Sequence, residues 1–129
     1  LEANRLMLDT LEPRIEGRVS DDSRIEGKVV VGPGSTIERS VVRGPVIIGS
    51  DAKISGAYIG PFTSVGDRVE IRETEIEHSI VLEGAVITDL ANRIEDSLIG
   101  RNVQIHREPR KPSAYRFMLG DNSEVGIRW

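Results

Sequence analysis

The 129-residue chain contains no cysteine, which excludes a disulfide framework and a thiolate metal site and is compatible with the cytosol. Aromatic residues make up only 4% of the chain against 38% hydrophobic residues in all. Any core must therefore be thin and filled by Ile, Val and Leu rather than by large rings. Unbroken apolar runs last only a few residues, far short of the roughly 20 that span a bilayer as a helix. No basic, apolar, small-residue sequence at the N-terminus marks a signal peptide. Neither sign of charge dominates. The net charge is −4 with both signs interspersed, which disfavours binding to a nucleic-acid backbone. These absences leave one cytoplasmic domain with a modest core, bound to neither membrane nor nucleic acid.

What is present is a repeat. From Val31, branched aliphatics recur at Ile37, Val42, Ile48, Ile54, Ile59, Val65, Ile71 and Ile76, always five or six residues apart. The series continues through Val81 or Leu82 to Ile87, Ile94, Ile99 and Ile105. Three steps together advance 17 residues, as in Val31, Ile48, Val65, Leu82 and Ile99. That interval suits neither a helix turn nor a strand pleat. At about 3.3 Å per residue it is a short strand plus a bend. Three such steps close a triangular coil, and the next coil stacks about 4.8 Å above it. The spacing predicts a β-helix of hexapeptide repeats with the marked residues pointing into the prism.

Other positions agree with this geometry. Glycine follows the marked residue at Gly32, Gly49, Gly60, Gly66 and Gly100, where a bend and positive φ are expected. Small or β-branched side chains recur four places after it, at Ser35, Ala52, Thr63, Val69 and Val103, where the interior is expected to be tight. Pro33 and Pro61 fall at the bends, where a missing N–H costs the ladder least. A stack this slender has little core of its own, so prism faces are expected to associate side by side.

The ends depart from the repeat. Ala3, Met7 and Leu11, with Leu1 and Leu8, follow helical spacing, and Pro13 marks the exit. "RIEGRV" at 14–19 and "RIEGKV" at 24–29 read as one irregular opening coil, with Asp21, Asp22 and Ser23 in its turn. Beyond Ile105, Ser113 is expected to cap a short helix over 114–119 closed by Gly120. Its Tyr115, Phe117, Met118 and Leu119 would cover the last open rung, as a solenoid end requires. "SEVGIRW" reads as a last short strand, and Trp129 has no evident task. The expected organisation is a helix over 1–12, a β-helix over 13–108, and a capping helix and tail over 109–129.

Candidate chemistry is sparse. His78 and His106 are the only side chains with ordinary pKa values near neutrality. His78 lies in "IEHSIV", a frame that recurs as "IERSVV" at 37, "ISGAYI" at 54 and "IEDSLI" at 94. It therefore shares a slot with Arg39, Gly56 and Asp96, expected to face solvent or a neighbouring subunit. Glu38, Glu77 and Glu95 follow inward residues and are expected to form a solvated ridge, pairing with Arg39, Arg72 or Arg93 at little gain. Arg107, Arg110, Lys111 and Arg116, moderated by Glu108, make a local basic patch suited to another domain or subunit rather than nucleic acid. No His/Cys/Asp cluster has metal-ligand spacing, and no glycine-rich loop has a phosphate-binding context.

"LEANRLMLDTLEPRIEGRV", "IERSVVRGPVIIG", "AYIGPFTSVGD", "EIEHSIVL", "RIEDSLIGRNVQI" and "LGDNSEV" together resemble the C-terminal left-handed β-helix domain of long-form glucose-1-phosphate thymidylyltransferases, over essentially the whole chain. The hexapeptide parts are shared by many sugar nucleotidyltransferases and acyltransferases; the "LEANRLMLD" helix and "GDNSEV" tail are more discriminating. The resemblance implies left-handed winding, although ordinary parallel crossovers are right-handed. It also implies a parent enzyme that joins dTTP to glucose 1-phosphate with Mg²⁺ and releases pyrophosphate. The family's nucleotide loop and metal-binding Asp lie upstream and have no counterpart here, so no catalytic, cofactor or metal residue carries over.

The expected role is thus a non-catalytic homo-oligomer, a trimer, that arranges nucleotidyltransferase domains around itself, with no cofactor of its own. The competing expectation is a hexapeptide acetyltransferase acting on an amino-sugar phosphate with acetyl-coenzyme A, through His78 or His106 as base. Such enzymes carry a long excursion from one coil, whereas the coils here run uninterrupted from Val31 to about Ile105. A third possibility, binding of sugar nucleotide as a regulator, has no residue for or against it.

Overall fold

The computed structural model describes residues 1–107 and 117–127. Strands of two or three residues are sorted into three sheets, all of whose pairings are parallel. The first face stacks Arg14–Ile15, Val29–Val31, Val46–Ile48, Thr63–Val65, Ile80–Val81 and Leu98–Ile99. The second runs from Arg18–Val19 through Thr36–Glu38, Lys53–Ser55, Glu70–Arg72 and Val86–Thr88 to Gln104–His106. The third holds Arg24–Glu26, Val41–Arg43, Tyr58–Ile59, Glu75–Glu77 and Ile94–Glu95. The chain visits the faces in turn, giving a solenoid of five full coils and two sides of a sixth.

Register makes the columns explicit. Ile15, Val31, Ile48, Val65, Val81 and Ile99 lie over one another on the first face. Val19, Ile37, Ile54, Ile71, Ile87 and Ile105 do so on the second. Ile25, Val42, Ile59, Ile76 and Ile94 form the third column. The central members are fully buried and constitute one core. The small residues Ser35, Ala52, Thr63, Val69 and Val103 are buried as the spacing predicts.

Several expectations are corrected. Val81, not Leu82, occupies the first column; Leu82 is exposed. One coil is therefore sixteen residues long and the next eighteen, because corner length adjusts to keep an aliphatic inside. The opening coil over 14–26 is regular, with a strand on each face beneath its equivalent. The positive-φ glycines are Gly27, Gly34, Gly56 and Gly84, not those that follow the marked aliphatics. Gly32, which does follow one, is needed for a different reason. A Cβ there would lie 2.7 Å from the backbone of Gly49 one coil above, so glycine permits the close stacking.

The N-terminal helix spans Glu2–Leu8. It meets the prism through Asn4 and Leu8, one turn apart. The Asn4 amide donates to the Phe62 carbonyl and accepts from the Ser64 hydroxyl on the first face, and Leu8 is fully buried. Ala3 and Met7, expected on the packed side, are exposed instead. The polar clamp of Asn4 decides the helix's rotation.

At the other end, residues 117–119 are not helical and 123–127 form no strand. The tail is held by side-chain contacts rather than a ladder. Leu119 packs on the core, Gly120 lies against Gly100, and the Ser123 hydroxyl donates to the Leu98 carbonyl. Phe117 and Met118 are exposed. The expectations for Ser113, Tyr115 and Trp129, and for Glu108, Arg110, Lys111 and Arg116, lie outside the described residues.

Candidate functional site

His78 sits at a corner between the third and first faces, with φ +50. Phe62 and Asp96 hold equivalent left-handed corners one coil below and above, and the His78 N–H bonds to the Pro61 carbonyl. Arg39 and Gly56 belong to a different corner, between the second and third faces, together with Glu73 and Asp89. The shared slot read from the sequence is thus two slots built alike.

The likeness has a local cause. In "IERS", "IEHS" and "IEDS" the residue before serine takes positive φ. The serine hydroxyl then reaches back to the carbonyl two residues earlier. Ser40 donates to Glu38, Ser79 to Glu77 and Ser97 to Glu95, and Thr74 does the same to Arg72. Ser40 and Ser79 also accept an N–H from the coil above, from Ala57 and Ser97. The motif closes corners, and it requires nothing of the residue that precedes the serine except left-handed backbone.

The His78 ring packs on Phe62 at 5.3 Å between centroids, and the Arg5 guanidinium lies 5.3 Å over the same Phe62 ring. Leu1, Glu2, Arg5, Phe62, His78 and Asp96 line a cleft of about 200 Å³ between the N-terminal helix and this corner. His106 is exposed on the second face, at the end of the Gln104–His106 strand. The two histidines occupy different sides of the prism and do not form one site.

The carboxylates likewise divide between faces. Glu38 lies on the second, Glu77 and Glu95 on the third. Arg39 pairs with Glu73, Arg72 with Glu70, and Arg93 with both Glu75 and Glu77. On the third face, the guanidinium groups of Arg43 and Arg93 lie 5.7 and 5.2 Å from the centroid of the Tyr58 ring between them. The hydrogen bond from Arg43, then that from Arg24, holds the Glu26 carboxyl below its ordinary range. The Ser20 hydroxyl, then the Arg39 N–H, does the same for Asp22. The Tyr58 stack and the Asn4 clamp were not read from the sequence. A 17-residue register puts Val41, Tyr58 and Glu75 in one outward column, which locates the former; nothing local signals the latter.

Among the described residues, no three His, Asp or Glu side chains converge to hold a metal ion, so the magnesium implied by the resemblance finds no ligand set there. Nor do the described residues include a helix long and apolar enough to cross a membrane. Between consecutive strands from Val29 to His106 the longest connection is five residues, 89–93.

Against known families, residues 42–126 match the model described as the GMPPB C-terminal domain, about two thirds of the chain. The chain belongs to the GMPPB C-terminal domain family. Similar relatives include a glucose-1-phosphate thymidylyltransferase of Streptomyces antibioticus, 52% identical over 99% of this chain. Another of that name, from Streptomyces griseus, is 45% identical over 98% of it. The low-salt glycan biosynthesis nucleotidyltransferase Agl11 of Haloferax volcanii is 39% identical over 98%. In each case the match covers 36% of the relative, so the chain spans about a third of their length. In this family member, the more discriminating "LEANRLMLD" segment acquires a physical meaning: Asn4 and Arg5 dock the helix on Phe62 and Ser64.

Proposed function

We propose that this chain is the non-catalytic oligomerisation and scaffold domain of a sugar-nucleotide-forming nucleotidyltransferase. The parent joins dTTP to glucose 1-phosphate and releases pyrophosphate, working in the cytoplasm, where nucleoside triphosphates are made. The reading is supported by relatives named glucose-1-phosphate thymidylyltransferase, of which this stretch is about a third. Its single strongest support is the run of coils from Val29 to His106, in which no connection between strands exceeds five residues. The domain winds left-handed, as the resemblance to hexapeptide proteins implies, and associates as a trimer through prism faces. Magnesium acts in the nucleotidyltransferase part.

Deleting residues 14–127 from the full-length protein tests this. Thymidylyl transfer should remain measurable while the number of copies per particle falls. Complete loss of transfer from a still-folded remainder, with the number of copies unchanged, would sink the proposal.

The cleft beside His78 favours one competing reading, an acetyltransferase using acetyl-coenzyme A and an amino-sugar phosphate. Coenzyme A release by wild type, His78→Ala and His106→Ala decides it. Turnover above blank that either variant abolishes would establish it.

A further inference from the structure

We propose that copies of this chain meet through the second and third faces of the prism, second face against the neighbour's third. The corner between those faces, that of Arg39, Gly56, Glu73 and Asp89, then points at the threefold axis. This rests on the trimer proposed above and names the surfaces that build it.

The first face is not free. Its outward column is Val30, Ile47, Ser64, Ile80 and Leu98. The N-terminal helix is clamped to Ser64, and just beyond it the Asp9 carbonyl accepts from the Lys28 ammonium beside the Val29–Val31 strand. The Ser123 hydroxyl of the tail donates to the Leu98 carbonyl. The chain's own ends thus occupy this face at three heights. Prisms packed side by side around one axis each turn a corner inward and use the two faces that flank it. Two of the three corners border the first face. Only the corner between the second and third faces has both flanks open.

Those flanks carry opposite charge at equal height. A threefold axis along the prism sets each coil of one copy beside the same coil of the next. In the coil over 29–43, Glu38 stands outward on the second face and Arg43 on the third. In the coil over 63–77, Arg72 stands outward on the second face, Glu75 and Glu77 on the third. The sign order reverses between the two coils. A slip of two coils would bring Glu38 against Glu75 and Glu77, so the charges also fix the register. Although Arg43, Arg72 and Glu75 have partners within the chain, their side chains remain 51, 54 and 56% exposed.

The area favours a closed ring over a pair. A face about 24 Å tall and 17 Å wide offers roughly 400 Å². That is half of the roughly 800 Å² that each partner contributes to a stable complex. A copy in a ring of three uses two faces and reaches that figure.

The test is photo-cross-linking of the full-length protein with p-benzoylphenylalanine in place of Lys53, exposed on the second face at the height of Tyr58 on the third. The particle is reassembled from an equal mixture of chains labelled with light and heavy nitrogen. Cross-links that join light to heavy chains should run to third-face peptides around Tyr58. The same probe at Leu82, on the corner between the first and second faces, should give none. A Lys53 probe that reaches another copy's first or second face, or no other copy, overturns the proposal. So does a Leu82 probe that reaches one.

Charge reversal gives an independent reading. Arg72→Glu and Glu75→Arg should each raise the concentration for half-dissociation at least about tenfold, and the double variant should return within about threefold of wild type. A double variant no tighter than either single one overturns the proposal. Light scattering of the same samples separates the two claims. Three copies without the Lys53 cross-link sink the choice of faces alone. One copy per particle sinks the scaffold role, and the choice of faces with it.

Discussion

The guanidinium of Arg39 meets the carboxylate of Glu73 at 3.2 Å although the two stand two coils apart. Gly56 occupies the corner between them, and a Cβ built there would lie 2.2 Å from the Glu73 carboxylate. The missing side chain is what lets the ion pair form.

Gly56→Ala should therefore destabilise the domain for two reasons. Its φ of +58 costs a side-chain-bearing residue about 1–2 kcal/mol, and the carboxylate must move. The exposed ion pair itself contributes little. Urea denaturation should show a loss of about 1–2 kcal/mol, nearly the same in an Arg39→Ala background. A loss that disappeared in that background would assign the effect to the ion pair.

Thr63 is fully buried, and its hydroxyl is the buried side-chain oxygen without a hydrogen-bond partner among the described residues. It lies in register with Val46. An unsatisfied buried hydroxyl costs about 1–3 kcal/mol, so Thr63→Val should stabilise by about 1 kcal/mol and raise Tm by a few degrees. Calorimetry checks this. A destabilised variant would mean that the hydroxyl has a partner after all.

Acid should weaken the lower coils. Because Arg43 and Arg24 lower the folded pKa of Glu26, its contribution is fully present above the ordinary value of 4.5 and is lost as pH falls through the folded value. Asp22, lowered chiefly by Ser20, follows the same sign. Thermal melts at pH 7 and pH 3 should show a smaller acid-induced drop in Glu26→Gln than in wild type. An equal drop would place the acid sensitivity elsewhere.

His78→Gly isolates the corner from any chemistry. Glycine accepts φ +50 without strain, while the ring contact with Phe62 is lost. Stability should change by less than about 1 kcal/mol, and thymidylyl transfer by the full-length protein should be unchanged. Loss of an acetyl-transfer activity in this variant would contradict the corner role.

The columns were legible in sequence because each coil must place an aliphatic inside at every step. Ile37, Ile54 and Ile71 leave no alternative. Leu82 misled because corner length is free to vary, and Val81 beside it satisfies the interior equally. The glycines misled because two constraints, left-handed backbone and close stacking, demand the same residue. Gly56 meets the first and Gly32 the second. The rotation of the N-terminal helix was not legible. It depends on one amide, Asn4, meeting Ser64 some sixty residues away, and apolar periodicity alone does not separate the side of Leu8 from that of Ala3 and Met7.

Static light scattering of the full-length protein at micromolar concentration tests the central claim most directly. An architectural domain that gathers its parent's catalytic parts predicts three copies per particle, falling to fewer when this domain is removed. A particle of one copy, unchanged by that removal, would contradict it.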